Sequence, residues 1–218
     1  MEQPASDSAG LLLMHKQIDL AASAVLYERP FSPESLREDW LVRSGEWSCR
    51  AGALIGRNPL PKPGCLECRR SLPGNVLLDF RARTVPPCTH DIDAMWNMAW
   101  DEASGARGPA YVAGIQGWWD GKVGIEKSPR YKLVATAPCP WFRPGQEYRV
   151  QAGSIDGHCF LFVDGVLRLE LLDPDPIDST RCDRVGFEAY QSIVQVSALV
   201  VRRIVWRPRP MTYPEEFR

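Results

Sequence analysis

Alternation with a period of two is the feature that most restricts this chain. In "HDIDAMWNMAWDE", residues 90–102, one parity holds Ile92, Ala94, Trp96, Met98 and Trp100. The other holds Asp91, Asp93, Met95, Asn97, Ala99 and Asp101. A strand sends successive side chains to opposite faces, so this stretch predicts one core face and one face carrying carboxylates and an amide. "NVLLDFRARTV" alternates in the same way, with Val76, Leu78, Phe80 and Ala82 against Leu77, Asp79, Arg81 and Arg83. "YVAGIQGWW", "KVGIEKS", "RYKLVATA", "EYRVQAGSI", "HCFLFVDGVLRLELL", "RVGFEAY" and "VQVSALVVRRIVW" read as further strands. Asp120-Gly121, Asp156-Gly157 and Asp164-Gly165 supply hairpin turns between them.

About a dozen short strands and no long amphipathic helix predict an all-β, two-sheet antiparallel jelly-roll sandwich. The 218 residues, 44% of them hydrophobic, suffice for one such core. The expected organisation is a flexible or short helical N-terminal segment over 1–25, the sandwich over 26–206 and a tail over 207–218. With 26 Lys and Arg against 27 Asp and Glu, the balance supports neither nucleic-acid nor membrane binding by charge. The start of the chain lacks the apolar run of a secretory signal, which predicts a cytoplasmic protein. Seven cysteines, an odd number, predict reduced thiols. Cys65 and Cys68 form a C-x-x-C with no second pair, so they are expected to be metal-free.

The order of the signals resembles the concanavalin A-like lectin/glucanase jelly roll. "SLREDWLVRSGEWSCRAGALIGR" is similar to the opening of that superfamily's bacterial sugar-processing branch, through its Asp-Trp, Ser-Gly-x-Trp and Gly-x-Leu. "EYRVQAGSIDGHCFLFVDGVLRLEL" resembles its later hairpin, and "DRVGFEAYQS" with "VSALVVRRIVW" its closing strands. Over roughly residues 26–206 the chain resembles the YesU-type uncharacterised proteins and the 3-keto-disaccharide hydrolase domains. The resemblance implies a carbohydrate ligand and leaves the reaction open. The E-x-D-x-E-like catalytic strand of the glucanases is absent, so their carboxylate roles do not transfer.

Parity then assigns a wet face. It groups Asp93 and Asn97 with Gln116, Trp118, Glu126, Arg130, Lys132, Glu188 and Tyr190. Trp118 or Tyr190 suits the apolar face of a pyranose; Asn97, Gln116 and the carboxylates suit its hydroxyls. For glycoside hydrolysis the candidate catalytic carboxyls are Asp93, Glu126 and Glu188. For a lyase, His90, Arg130 and Lys132 could supply the base and the cation. Any half-wet antiparallel sheet shows such alternation, so each residue alone is equally a solvated surface group. His158 beside Phe160 reads as structural. His90, Asp91, Asp93 and Asp101 could hold a calcium-like ion, but the compact loop usual for such sites is missing. The expectation is therefore a glycoside-processing enzyme with no cofactor, the alternative a non-catalytic carbohydrate-binding module. An interaction protein using its sandwich edges is a third reading, and a homodimer stays open.

Overall fold

The computed structural model describes residues 10–117, 120–130 and 132–210, with the side chains of 132–134 left aside. The chain opens with β1 (Leu11–Leu12), β2 (Lys16–Ile18), β3 (Val25–Glu28) and one short helix, α1 (Pro33–Asp39). Then come β4 (Trp40–Val42), β5 (Glu46–Arg50), β6 (Ala53–Asn58), β7 (Gly64–Cys68) and β8 (Val76–Thr84). The middle holds β9 (Ile92–Met98), β10 (Trp100–Asp101), β11 (Ala106–Arg107), β12 (Ala110–Ile115), β13 (Lys122–Ser128) and β14 (Lys132–Pro138). The last third holds β15 (Tyr148–Ile155), β16 (His158–Val163), β17 (Val166–Leu172), β18 (Arg184–Ala189), β19 (Ser192–Arg203) and β20 (Trp206–Pro208).

Two antiparallel sheets form the sandwich. One has seven strands in the order β14-β13-β12-β9-β18-β7-β4. The other has eight, in the order β17-β16-β15-β8-β19-β6-β5, and β3 also pairs with β19. Two-residue turns fix register at Asp156-Gly157 and Asp164-Gly165, where both residues of each turn have positive φ. That backbone matches the strand twist, and glycine adopts it without a Cβ penalty. Between the sheets, Phe187 packs on Trp40 and edge-on against Phe80 at a centroid distance of 5.2 Å. Ala94 and Trp96 from β9 and Tyr111 and Ala113 from β12 join that core, as their parity requires.

The N-terminal segment differs from expectation. Leu11–Leu12 and Lys16–Ile18 are strands, not helix, and these two strands form a three-stranded sheet with β20. Leu11, Leu13 and Ile18 pack with Leu77, Ile155, Phe160, Phe162 and Ile204. Leu77 and Phe160 lie on the side of the eight-stranded sheet away from the main core, so tertiary burial here overrides a short, aperiodic apolar run. Residues 207–208 of the expected tail belong to β20. Among the described residues, no helix is long and apolar enough to cross a membrane.

Candidate functional site

The outer face of the seven-stranded sheet carries a buried charged cluster. β18 places Glu188 opposite Cys65 of β7 on one side and opposite Asp93 of β9 on the other. The same row continues through Gly114 and Gly124, which put no side chain on the sheet. One row away, Glu126 on β13 lies opposite Val112, and Val112 opposite Met95. Asp93, Glu126 and Glu188 therefore share a face, as their parity predicts. That face is not open to solvent: their exposures are 1%, 2% and 0%.

Arg107 is the counter-ion, and sequence reasoning missed it. It sits in the loop "ASGARGPA", where periodicity carries no signal. β10 and β11 pair as a short hairpin just before β12. Next to Arg107, Gly108 lies so close to Ala99 that a Cβ would fall 2.9 Å from its carbonyl oxygen. The Arg107 Nη2 donates to Glu126 Oε1 at 2.8 Å, Nη1 donates to Glu188 Oε2, and Nε donates to Ser128 Oγ at 3.1 Å. Met95, Met98, Cys65, Ala110 and Val112 form the apolar bed around this cluster.

The acids outnumber that cation. Asp91 accepts from the Tyr190 backbone amide and from Ser192 Oγ. Asp91 and Asp93 are close enough that each shifts the other's ionisation. Gly117 stands against both: a Cβ there would lie 3.4 Å from Asp93 Oδ1 and 3.6 Å from Asp91 Oδ1. Both Asp93 oxygens, and Glu188 Oε1, are buried without an ordinary donor. Burial pushes Asp93 well above the usual carboxylate range, and the neighbouring Asp91 and Glu188 push it further. Burial raises Glu188 to about 7, with Arg107 opposing and Asp91 and Glu126 adding to it. Burial raises Glu126 to about 6 against the pull of Arg107. Burial also pushes the Cys65 thiol up, so it is no thiolate nucleophile.

The other predicted residues distribute differently. Asn97 leaves the face: its φ of 44° makes an irregularity in β9, and the pairing with β18 shifts between Arg184 and Gly186. Its side chain donates to Gly74 O and accepts from Ser154 Oγ at 2.9 Å, while Met98 takes the outer position beside Met95. Gln116 staples a turn, donating to Asp120 and accepting from the Gly121 amide at 2.9 Å. His90 is half-buried just before β9, Tyr190 is half-buried after β18, and Arg130 is exposed after β13. Trp118 lies outside the described residues, as does the side chain of Lys132 on β14. Asp101 is exposed and caps its own turn through the Ala103 amide and Ser104 Oγ, so it does not join Asp91 and Asp93. Among the described residues, no group of His, Cys, Asp and Glu could hold a metal ion. Cys65 packs on the outer face and Cys68 in the main core, so the C-x-x-C thiols point to opposite sides of β7. His158 is buried at 4% exposure between Lys16 and Glu170.

No family model matches the sequence, and no curated protein matches it. Solved structures do. A protein of unknown function with a galectin-like fold from Bacillus subtilis superposes with a TM-score of 0.67 at 15% identity, covering 84% of this chain and 97% of that one. The carbohydrate binding module CBM66 from Bacillus subtilis gives 0.62 at 12% identity, covering 75% and 95%. The exoplasmic/lumenal domain of VIP36, solved in a Ca2+/Man3GlcNAc-bound form, gives 0.56 at 8% identity, covering 92% and 93%. At such identities the likeness is one of fold. The chain shares the galectin-like jelly-roll fold of these neighbours.

Proposed function

We propose that this chain is a carbohydrate-active protein that processes glycosides at the outer face of its seven-stranded sheet. One observation supports the reading above the others: four carboxyls are buried in one region, two of them share one guanidinium, and two keep oxygens without a donor. Such groups are costly to the fold, and strongly shifted buried acids cluster at functional sites. Glycoside hydrolysis needs one carboxyl that holds a proton and one that is ionised, no more than ~9.5 Å apart. Glu188, raised by burial to about 7, keeps a substantial protonated fraction near neutral pH, and that form gives its proton to the oxygen of the departing sugar. Glu126, at about 6 and on the same guanidinium, ionises first and faces the developing positive charge or the attacking water. Asp93, pushed up by burial and by the neighbouring Asp91 and Glu188, gives up its proton less readily than an ordinary carboxyl. In lyase chemistry His90, Arg130 or Lys132 would instead supply the base and the cation.

The test is turnover on a panel of oligosaccharides, followed as new reducing ends or as unsaturated product. Glu188→Gln and Glu126→Gln should each abolish turnover, because the amide keeps the shape and cannot exchange a proton near neutral pH. A second reading, a non-catalytic carbohydrate-binding module, is favoured by the exposures of 0–2% at the three acids. Saturable sugar binding with no product from any substrate would select it.

A further inference from the structure

We propose that a cavity beside the acidic cluster receives a negatively charged substituent on a sugar ring. The cavity has a volume of about 710 Å³, which falls within the range of small-molecule sites. Its walls come from Pro109 before β12, from residues 127–130 at the end of β13, and from residues 173–178 with Arg181 and Cys182 after β17.

The charges in these walls sort into two groups. Lys127 is committed to the loop: its Nζ lies 2.9 Å from Asp173 Oδ2 and 3.7 Å from Asp175 Oδ2. Asp173 also accepts from the Tyr111 hydroxyl at 2.6 Å. Asp178 is capped by the Thr180 amide and hydroxyl, at 2.9 Å and 2.6 Å. Arg130 and Arg181 are different. Both are exposed, both line the cavity, and neither has a carboxylate within 4.0 Å among the described residues. The walls therefore carry two guanidiniums outside any close ion pair, Arg181 acting on Asp178 only at longer range, and their planar forks match a carboxylate or a sulfate. Pro109, Pro129, Pro176 and Ile177 give the same walls an apolar side on which a ring can pack.

The cavity adjoins the candidate site. Ser128 lines it, and Ser128 Oγ accepts from the same Arg107 that holds Glu126 and Glu188. Ser128 and then Arg107 stand between a ring seated here and the two acids. The inference rests on the glycoside-processing reading and adds a substrate class to it: anionic saccharides.

Isothermal titration calorimetry tests it with three probes: a glucuronate-containing oligosaccharide, its methyl ester, and a sulfated form of the matching neutral oligosaccharide. At least one charged probe should bind ten or more times tighter than the ester. That gain should vanish in the R130A/R181A double variant and return in part in R130K/R181K, which keeps the charge without the fork. Whichever charged probe carries the gain identifies carboxylate or sulfate. Both substituted positions are exposed, and unchanged thermal midpoints will show that the fold is intact. Equal binding of charged and uncharged probes, or a gain that survives in R130A/R181A, overturns the proposal. The outcomes also separate the two readings. Arginine-dependent binding with no turnover of any probe removes the enzymatic reading and keeps the cavity. Turnover of neutral sugars without preference for charge removes the cavity and keeps the enzyme.

Discussion

Asp39 and Asp93 are both buried, at 6% and 1% exposure, and their carboxyls respond in opposite directions. Burial pushes Asp39 up, but Arg70 and Arg29 outweigh it, and the carboxyl sits below the usual range. Those guanidiniums lie at 3.1 Å and 3.0 Å, and Tyr27 donates its hydroxyl as well. Burial pushes Asp93 up too, and there the neighbours are further carboxyls that add to the rise. The difference lies in the partners, not in the depth. At the end of α1, two cations meet one acid, which is the economy of a structural ion pair. On the outer face of the seven-stranded sheet, one cation meets several acids, an arrangement that stability alone does not select.

The sharpest way to break this contrast is to remove the shared cation. Arg107→Ala leaves Glu126 and Glu188 buried without it, and the expected loss is about 3–5 kcal/mol in urea unfolding at pH 8. A loss below about 1 kcal/mol would show that the cluster carries little charge and that Arg107 is not its counter-ion. The structural acid comes next. Asp39→Asn should cost about 1.5–3 kcal/mol at neutral pH, the worth of hydrogen bonds to charged groups. Because the folded Asp39 binds its proton more weakly than the unfolded chain does, its contribution is present above the unfolded carboxylate range. It fades as pH falls through the folded value, so the variant and the parent should converge in acid.

The outer-face cluster should show the reverse slope. Glu188, raised from 4.5 to about 7, and Glu126, raised to about 6, hold protons more tightly when folded. Their part of the stability is fully present below the unfolded value and is lost as pH rises from about 4.5 through about 7. Glu188→Gln should flatten that decline by on the order of 1–2 kcal/mol between pH 5 and pH 8, read as the urea midpoint at each pH. A parent whose stability rises across this window would mean that the acids are ionised and paired, as Asp39 is.

How far the sequence reaches follows from what alternation encodes. Parity groups Asp93, Glu126 and Glu188 because β9 up to Met95, β13 up to Glu126 and β18 from Gly186 keep regular pairing there. It fails two residues further on, at Asn97, where a left-handed backbone residue turns the side chain toward Ser154 and hands the outer position to Met98. A period of two cannot announce such an irregularity. Arg107 was illegible for another reason: its partners lie 19 and 81 residues away, and its own segment has no period. Nor does alternation say whether a polar face is wet. The polar residues of β9 and β18 look like solvated positions, yet the hairpin β10–β11 brings Arg107 onto the same face and the acids are buried. The segment 11–18 shows the same limit, since "LLLMHKQI" has no alternation long enough to separate strand from helix.

The smallest effect belongs to the pair that shares the chemistry of Arg107 and Glu126 without its burial. Arg57 on β6 donates to Glu46 on β5 at 2.9 Å, across directly paired backbone positions, with side chains 50% and 67% exposed. The contact distance nearly equals the 2.8 Å between Arg107 and Glu126. Water screens the exposed pair, and holding two long side chains in one geometry offsets part of the attraction. Arg57→Ala should therefore change stability by only about 0–1 kcal/mol, and most of that change should disappear in high salt. If Arg57→Ala instead matched Arg107→Ala, ion-pair distance rather than burial would set the cost. The opposed behaviour of Asp39 and Asp93 would then need an explanation other than the number of cations each one meets.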